Sequence, residues 1–150
     1  MTNVIKTIEA SRAVLVEEAA TSVAQAHLGY YESVGGLDVR ARLAALLDHV
    51  LESLRSRSLA PVLDYSREIA RERFESGCDL VEVQVAIRAL EEALWRHVFA
   101  VFPADQVAVP LGLVTTTLST ARDTLARAYV ALAQAARAPA IDVASLFSGT

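Results

Sequence analysis

The chain has 150 residues, of which 53% are apolar and 6% aromatic, and its formal net charge is −4. That length suits one domain with its own core, and the apolar content is far above that of a disordered chain. A weakly acidic chain lacks the dense positive field that a phosphate backbone requires, so nucleic acid is not an expected partner.

The N-terminal MTNVIKTIEASR has no uninterrupted apolar run, which argues against a signal peptide. The first predicted helix runs from about Asn3 to Glu32, with Ile5, Ile8, Leu15, Ala19, Val23, Ala26 and Tyr30 among its apolar positions. The spacing slips near Ser11 and Arg12, which fits a short helix followed by a longer one. Val34-Gly35-Gly36 ends the segment, because glycine tolerates the positive φ of a helix stop. A second helix is expected from near Asp38, where Val39, Leu43, Leu46, Leu47, Val50, Leu51 and Leu54 form one apolar stripe.

Ser56-Arg57-Ser58 makes a corner, and Pro61 suits the first turn of a third helix. Val62, Leu63, Ser66, Ile69, Ala70 and Phe74 recur on one side of it, and Asp64, Arg67, Glu68, Arg71 and Glu72 fill a solvated face. Gly77 fits the position just past its end. Asp79 then reads as an N-cap, and Glu82, three residues on, completes a capping-box pattern.

The fourth helix carries the clearest periodicity. Leu80, Ile87, Leu94 and Val101 are spaced by seven, as are Val83, Leu90 and His97. These are the two rows of a seam for antiparallel neighbours. Gln84, Arg88, Glu91, Glu92 and Arg96 lie opposite. Pro103 interrupts, and Pro110 opens a fifth helix that reaches about Ala136 through Leu111, Val114, Leu118, Ala121, Leu125, Ala128 and Leu132. The threonine run Thr115 to Thr117, with Ser119 and Thr120, fits a close helix approach, a dimer face or a polar cavity equally well. Residues 137–150 form a short tail in which Ile141, Leu146 and Phe147 are the apolar groups. The expected fold is therefore all-α, a single-domain antiparallel bundle of about five helices over residues 1–150. The longest charge-free stretch, between Asp105 and Arg122, is too short and too polar to span a bilayer, so no membrane role is expected.

Motifs for chemistry are missing. Cys78 is the only cysteine, which excludes an intramolecular disulfide and a cysteine-built zinc site and fits a cytoplasmic protein. Its place near a helix N-terminus favours a thiolate, but the neighbouring Asp79 opposes one. The residues three before the histidines are Ala24, Leu46 and Leu94, so no Glu-x-x-His di-iron pattern exists. There is no His-Glu-x-x-His, no phosphate loop and no Gly-x-Ser-x-Gly elbow. No catalytic residue, metal ligand or cofactor is assigned, and the chain reads as a non-enzyme. His97 stands where a seam expects an apolar group, and it is either a hydrogen-bonded core histidine or one at the bundle end, the commoner outcome, or a ligand or pH-sensitive group. A small-ligand or haem pocket built from His97, Phe99, Phe102 and Tyr30 is the alternative reading.

The stretch RSRSLAPVLDYSREIARERFESGCDLVEVQVAIRALEEALWRHVF resembles the RsbT co-antagonist (RsbRD-type) N-terminal helical sensor domain. The resemblance lies in Arg71 through Phe74, then Gly77, then Leu80-Val81-Glu82-Val83, then Arg88 through Trp95, with Tyr129 in the final helix, and it covers most of the chain, from about Asp38 to Leu132. It implies a non-enzymatic input domain of stress-response signalling, all-helical, in some members similar to a globin without haem, and often a homodimer. No STAS, kinase or DNA-binding region follows within the sequence, so a stand-alone relative acting on a regulatory protein partner is expected. Ile87, Leu90, Leu94, Leu118 and Leu125 are the expected interface, on the fourth and fifth helices.

Overall fold

A computed structural model describes residues 3–137, so the tail with Ile141, Leu146 and Phe147 lies outside the described residues. These residues form seven α-helices, one 3₁₀ turn and no strand. The helices are α1 (Val4–Ala10), α2 (Arg12–Gln25), α3 (Gly29–Val34), α4 (Gly36–Ser56), α5 (Ala60–Glu75), α6 (Leu80–Val101) and α7 (Ala108–Arg137).

The all-α expectation holds, and the count of five is corrected to seven. The segment expected as one helix from Asn3 to Glu32 breaks twice. Ser11 leaves helical geometry at the point where the apolar spacing slipped. His27 takes a left-handed φ of 52°, which turns the chain between α2 and α3. Gly35, at φ 88°, ends α3, and α4 begins at once, with Asp38 inside its first turn rather than capping it. Arg57, at φ 53°, closes α4, and Pro61 sits in the first turn of α5.

Ion pairs fix the register of α2 against α4: Arg12 binds Asp48 at 2.7 Å and Arg40 binds Glu17 at 2.7 Å, so the two run antiparallel. Arg55 ties the end of α4 to Glu9 of α1 at 2.6 Å. Exposed pairs of this kind set register more than stability. Between α4 and α5, His49 stacks on Tyr65 at 4.0 Å, and Ser53 Oγ accepts from the Val62 N–H at 3.0 Å. Helix α6 packs between α2 and α7. Leu15, Leu47, Leu51, Leu90, Leu94, Leu118 and Leu125 fill the centre, all essentially without solvent contact. Both sevenfold rows of α6 face this core in their middle turns and open toward solvent at Leu80 and Val101.

Candidate functional site: the ends and outer face of α6

Asp79 caps α6 as expected, but it accepts from the Val81 N–H at 3.2 Å rather than from Glu82. Glu82 does not reach back to close a capping box. Its carboxylate accepts from the Tyr30 N–H at 3.2 Å, supplying the missing acceptor at the start of α3. The Cys78 thiol also donates to Glu82 at 3.7 Å. Burial, and then the Glu82 carboxylate, push the Cys78 thiol up to about 12. A thiol so shielded is not a nucleophile.

Around this end of α6 lies a buried polar junction. Arg73 of α5 is buried, where the charge pattern placed only its neighbours Glu72 and Arg71 on a solvated face. Its Nη1 reaches Glu72 at 2.5 Å, and its Nε has no hydrogen-bond partner. Burial drives the Tyr31 hydroxyl up to about 12, and Arg73 pulls it the other way. Arg42 of α4 pairs with Asp38 and stands over the Tyr30 ring at 5.3 Å. An open groove of about 490 Å³ lies alongside, floored by Val23, Tyr31 and Val39. Its polar rim is already engaged: His27 meets Glu32 at 3.0 Å, and Arg40 holds Glu17.

His97 stands at the other end of α6. Its Nε2 is buried without a hydrogen-bond partner, and desolvation holds the ring below its ordinary range, with Glu18 and the Thr7 backbone opposing. Fifteen residues of α6 separate His97 from Glu82, the contact of Tyr30, which is about 22 Å of helix. Phe99 is 60% exposed, and Phe102 is buried. The four residues expected to line one pocket therefore do not converge. Among the described residues, no group of three or more His, Cys, Asp or Glu side chains is placed to hold a metal, and no helix is long and apolar enough to cross a membrane.

The expected interface residues are corrected as well. Ile87, Leu90, Leu94, Leu118 and Leu125 are sealed inside the molecule's own core. They join α6 to α7 within one chain and offer a second chain no surface. Trp95 Nε1 donates to Thr115 Oγ1 at 3.1 Å, and Arg122 Nη1 reaches Glu91 at 2.5 Å, which sets α6 and α7 antiparallel. Thr115 thus bridges two helices, whereas Thr117 donates to the Leu113 carbonyl and Thr120 to the Thr116 carbonyl within α7, each at 2.7 Å. What α6 leaves facing water is a different row, with Val81, Trp95 and Phe99 all exposed.

This arrangement, a helical body whose charged groups serve packing, agrees with comparison against known families. The RsbT co-antagonist protein rsbRD N-terminal domain matches residues 9–144. The chain belongs to that family. No curated protein and no solved structure matches, so no globin likeness is drawn from comparison. As an RsbT co-antagonist N-terminal domain it is an all-α domain of regulatory signalling. The match spans α2 through α7, including both the polar junction and the outer face of α6.

Proposed function

We propose that this domain is a non-enzymatic signalling input module of the stressosome type, which passes a signal through helix packing to contacts with a second copy of itself and with a regulatory protein partner. Membership of the family supports the signalling role. The observation that carries the contact reading is the outward row of α6, where Val81, Trp95 and Phe99 lie exposed although the opposite rows are packed through their middle turns. Large apolar side chains grouped on one face mark interaction surfaces more often than isolated ones do. A lone cysteine, kept reduced, fits a cytoplasmic setting.

Movement of α6 is the natural carrier of a signal, because its two ends sit in different surroundings. One end anchors α3 through Glu82, and the other places His97 beside α1. A ligand or partner that favours one packing of α6 would shift the population toward it. Static light scattering over a wide concentration range tests the self-contact. Mass rising toward twice the monomer is expected, and a strict monomer at the highest concentration overturns it.

A further inference from the structure

Helix α1 has seven residues and one fully buried side chain, Ile8. A helix that short does not persist in water without packing. Its cap, Asn3 Oδ1 accepting from the Ile5 N–H at 2.8 Å, is exposed. The ion pair that ties it to α4, Glu9 with Arg55, is exposed as well. The span matched by the family begins at residue 9, so residues 4–8 pack onto a body that is matched without them. That body meets α1 through α2, α4 and α6.

On α6, α1 lies against His97, with the Thr7 backbone within hydrogen-bonding reach of the ring. The Nε2 atom of that ring is buried without a partner. An unsatisfied buried nitrogen is costly, and it costs most when the group carries charge. From α2, Glu18 is the charged group that bears on the ring, and Arg96 of α6 stands 3.8 Å from its carboxylate. The other charges on these elements are engaged or wet: Arg12 with Asp48, Arg55 with Glu9 and Glu52, and Lys6 exposed. We propose that α1 is a strap released by protonation of His97: in mild acid it leaves the bundle, the imidazolium is hydrated, and the socket of Ile8 opens between α2, α4 and α6.

The sign follows from linkage. A hydrated histidine takes its proton near about 6.5, and desolvation holds the docked ring below that value. Docking of α1 is therefore strongest above that value and weakens as the pH falls through it. Glu18 and the Thr7 backbone favour the charged ring and moderate the effect without reversing it. Detaching one short helix costs far less than opening the whole body, and elements that switch are drawn from such weakly held units. The released state differs from the docked one by an uncovered apolar socket, which a partner can read. The strap goes beyond the self-contact reading, because it needs no second copy.

The test is hydrogen exchange of the full chain at pH 7 and pH 5.5, read by mass spectrometry and corrected for the intrinsic rate at each pH. Protection of residues 4–10 is expected to fall roughly threefold or more at the lower pH, while that of α4 and α6 is kept. The His97 ring protons, followed by NMR, should titrate over the same range. His97→Gln keeps a polar side chain and has no proton to gain, so its α1 should be equally protected at both pH values. Equal protection in the parent at both pH values overturns the strap. A pH-dependent loss that survives in His97→Gln also overturns it. A loss that α4 and α6 share in full is global unfolding and overturns it too. The parent series needs no variant, so the proposal can fail even where His97→Gln does not fold.

Discussion

The Glu91 carboxylate is buried between α6 and α7 and meets Arg122 Nη1 at 2.5 Å. This pair crosses from one helix to the next. Burial pushes Glu91 above its ordinary range, while Arg122 and Arg88 pull it down. Removing Arg122 strands a buried carboxylate, which commonly costs about 3–5 kcal/mol when fully enclosed. Arg122 itself is partly exposed, so Arg122→Ala is expected at the lower end, about 2–3 kcal/mol at pH 7. A carboxyl held above its ordinary range binds its proton more tightly when folded than when unfolded. Lowering the pH therefore relieves the cost of its charge. The gap between Arg122→Ala and the parent, read from urea midpoints, should narrow between pH 7 and pH 5. A gap that widens would mean that Glu91 is not the group left stranded.

Cys78 offers a probe of the polar junction. Its thiol, pushed up to about 12, stays neutral at every ordinary pH, and its side chain is buried. In the native protein a disulfide reagent should label it only through opening of the structure, so the rate should follow denaturant in step with unfolding. Glu82→Ala removes the acceptor of the Tyr30 N–H and is expected to loosen α3 by about 1 kcal/mol. Labelling should then speed up roughly fivefold at the same pH, as 1 kcal/mol corresponds to about that factor. Labelling of the parent at the rate of a free thiol would show that the junction is open.

His97 should make folding sensitive to mild acid. Desolvation holds its folded value below the ordinary one, so the unfolded chain takes up the proton more readily. Stability is then fully present above the unfolded value of about 6.5 and falls as the pH drops through it toward the folded value. Glu18 and the Thr7 backbone moderate the effect without reversing it. His97→Leu removes both the titration and the unpartnered Nε2, and should equal or exceed the parent in stability at pH 7 by up to about 1 kcal/mol. The stability difference between His97→Leu and the parent, measured at pH 7 and at pH 5.5, should grow at the lower pH.

Most of the bundle was legible in the sequence because its strongest signals were local. The sevenfold rows of α6, the Gly35 stop, Pro61 and the Asp79 cap each act within one or two turns, and each appears where the pattern put it. The break at His27 carried no such signal, since the left-handed turn there falls on a residue that is not glycine. Glu91 looked like a member of a solvated face, and Arg73 carried no sign of burial, because the groups that enclose or pair them arrive from other helices. The interface residues failed for a related reason. Periodicity says that a row is buried, but it does not say whether the cover is the same chain or another one.

That distinction yields a paired mutation with opposite signatures. Leu90 is fully enclosed, and truncating it leaves a cavity in the centre of the core. Leu90→Ala is expected to cost about 2–5 kcal/mol, with a lowered melting temperature. Phe99 is 60% exposed on the outward row and touches little of its own chain's core. Phe99→Ala should therefore change monomer stability by no more than about 0.5 kcal/mol, as surface substitutions usually do. The contact reading requires that the same change weaken self-association, because an aromatic ring is a typical anchor of an interface. Thermal melts at low concentration report the first quantity, and light scattering at high concentration reports the second. A Phe99→Ala protein that melts like the parent and associates like the parent would leave the outer face of α6 without a partner. One that melts like the parent but dissociates would show the outward row acting between molecules, as Leu90 acts within one.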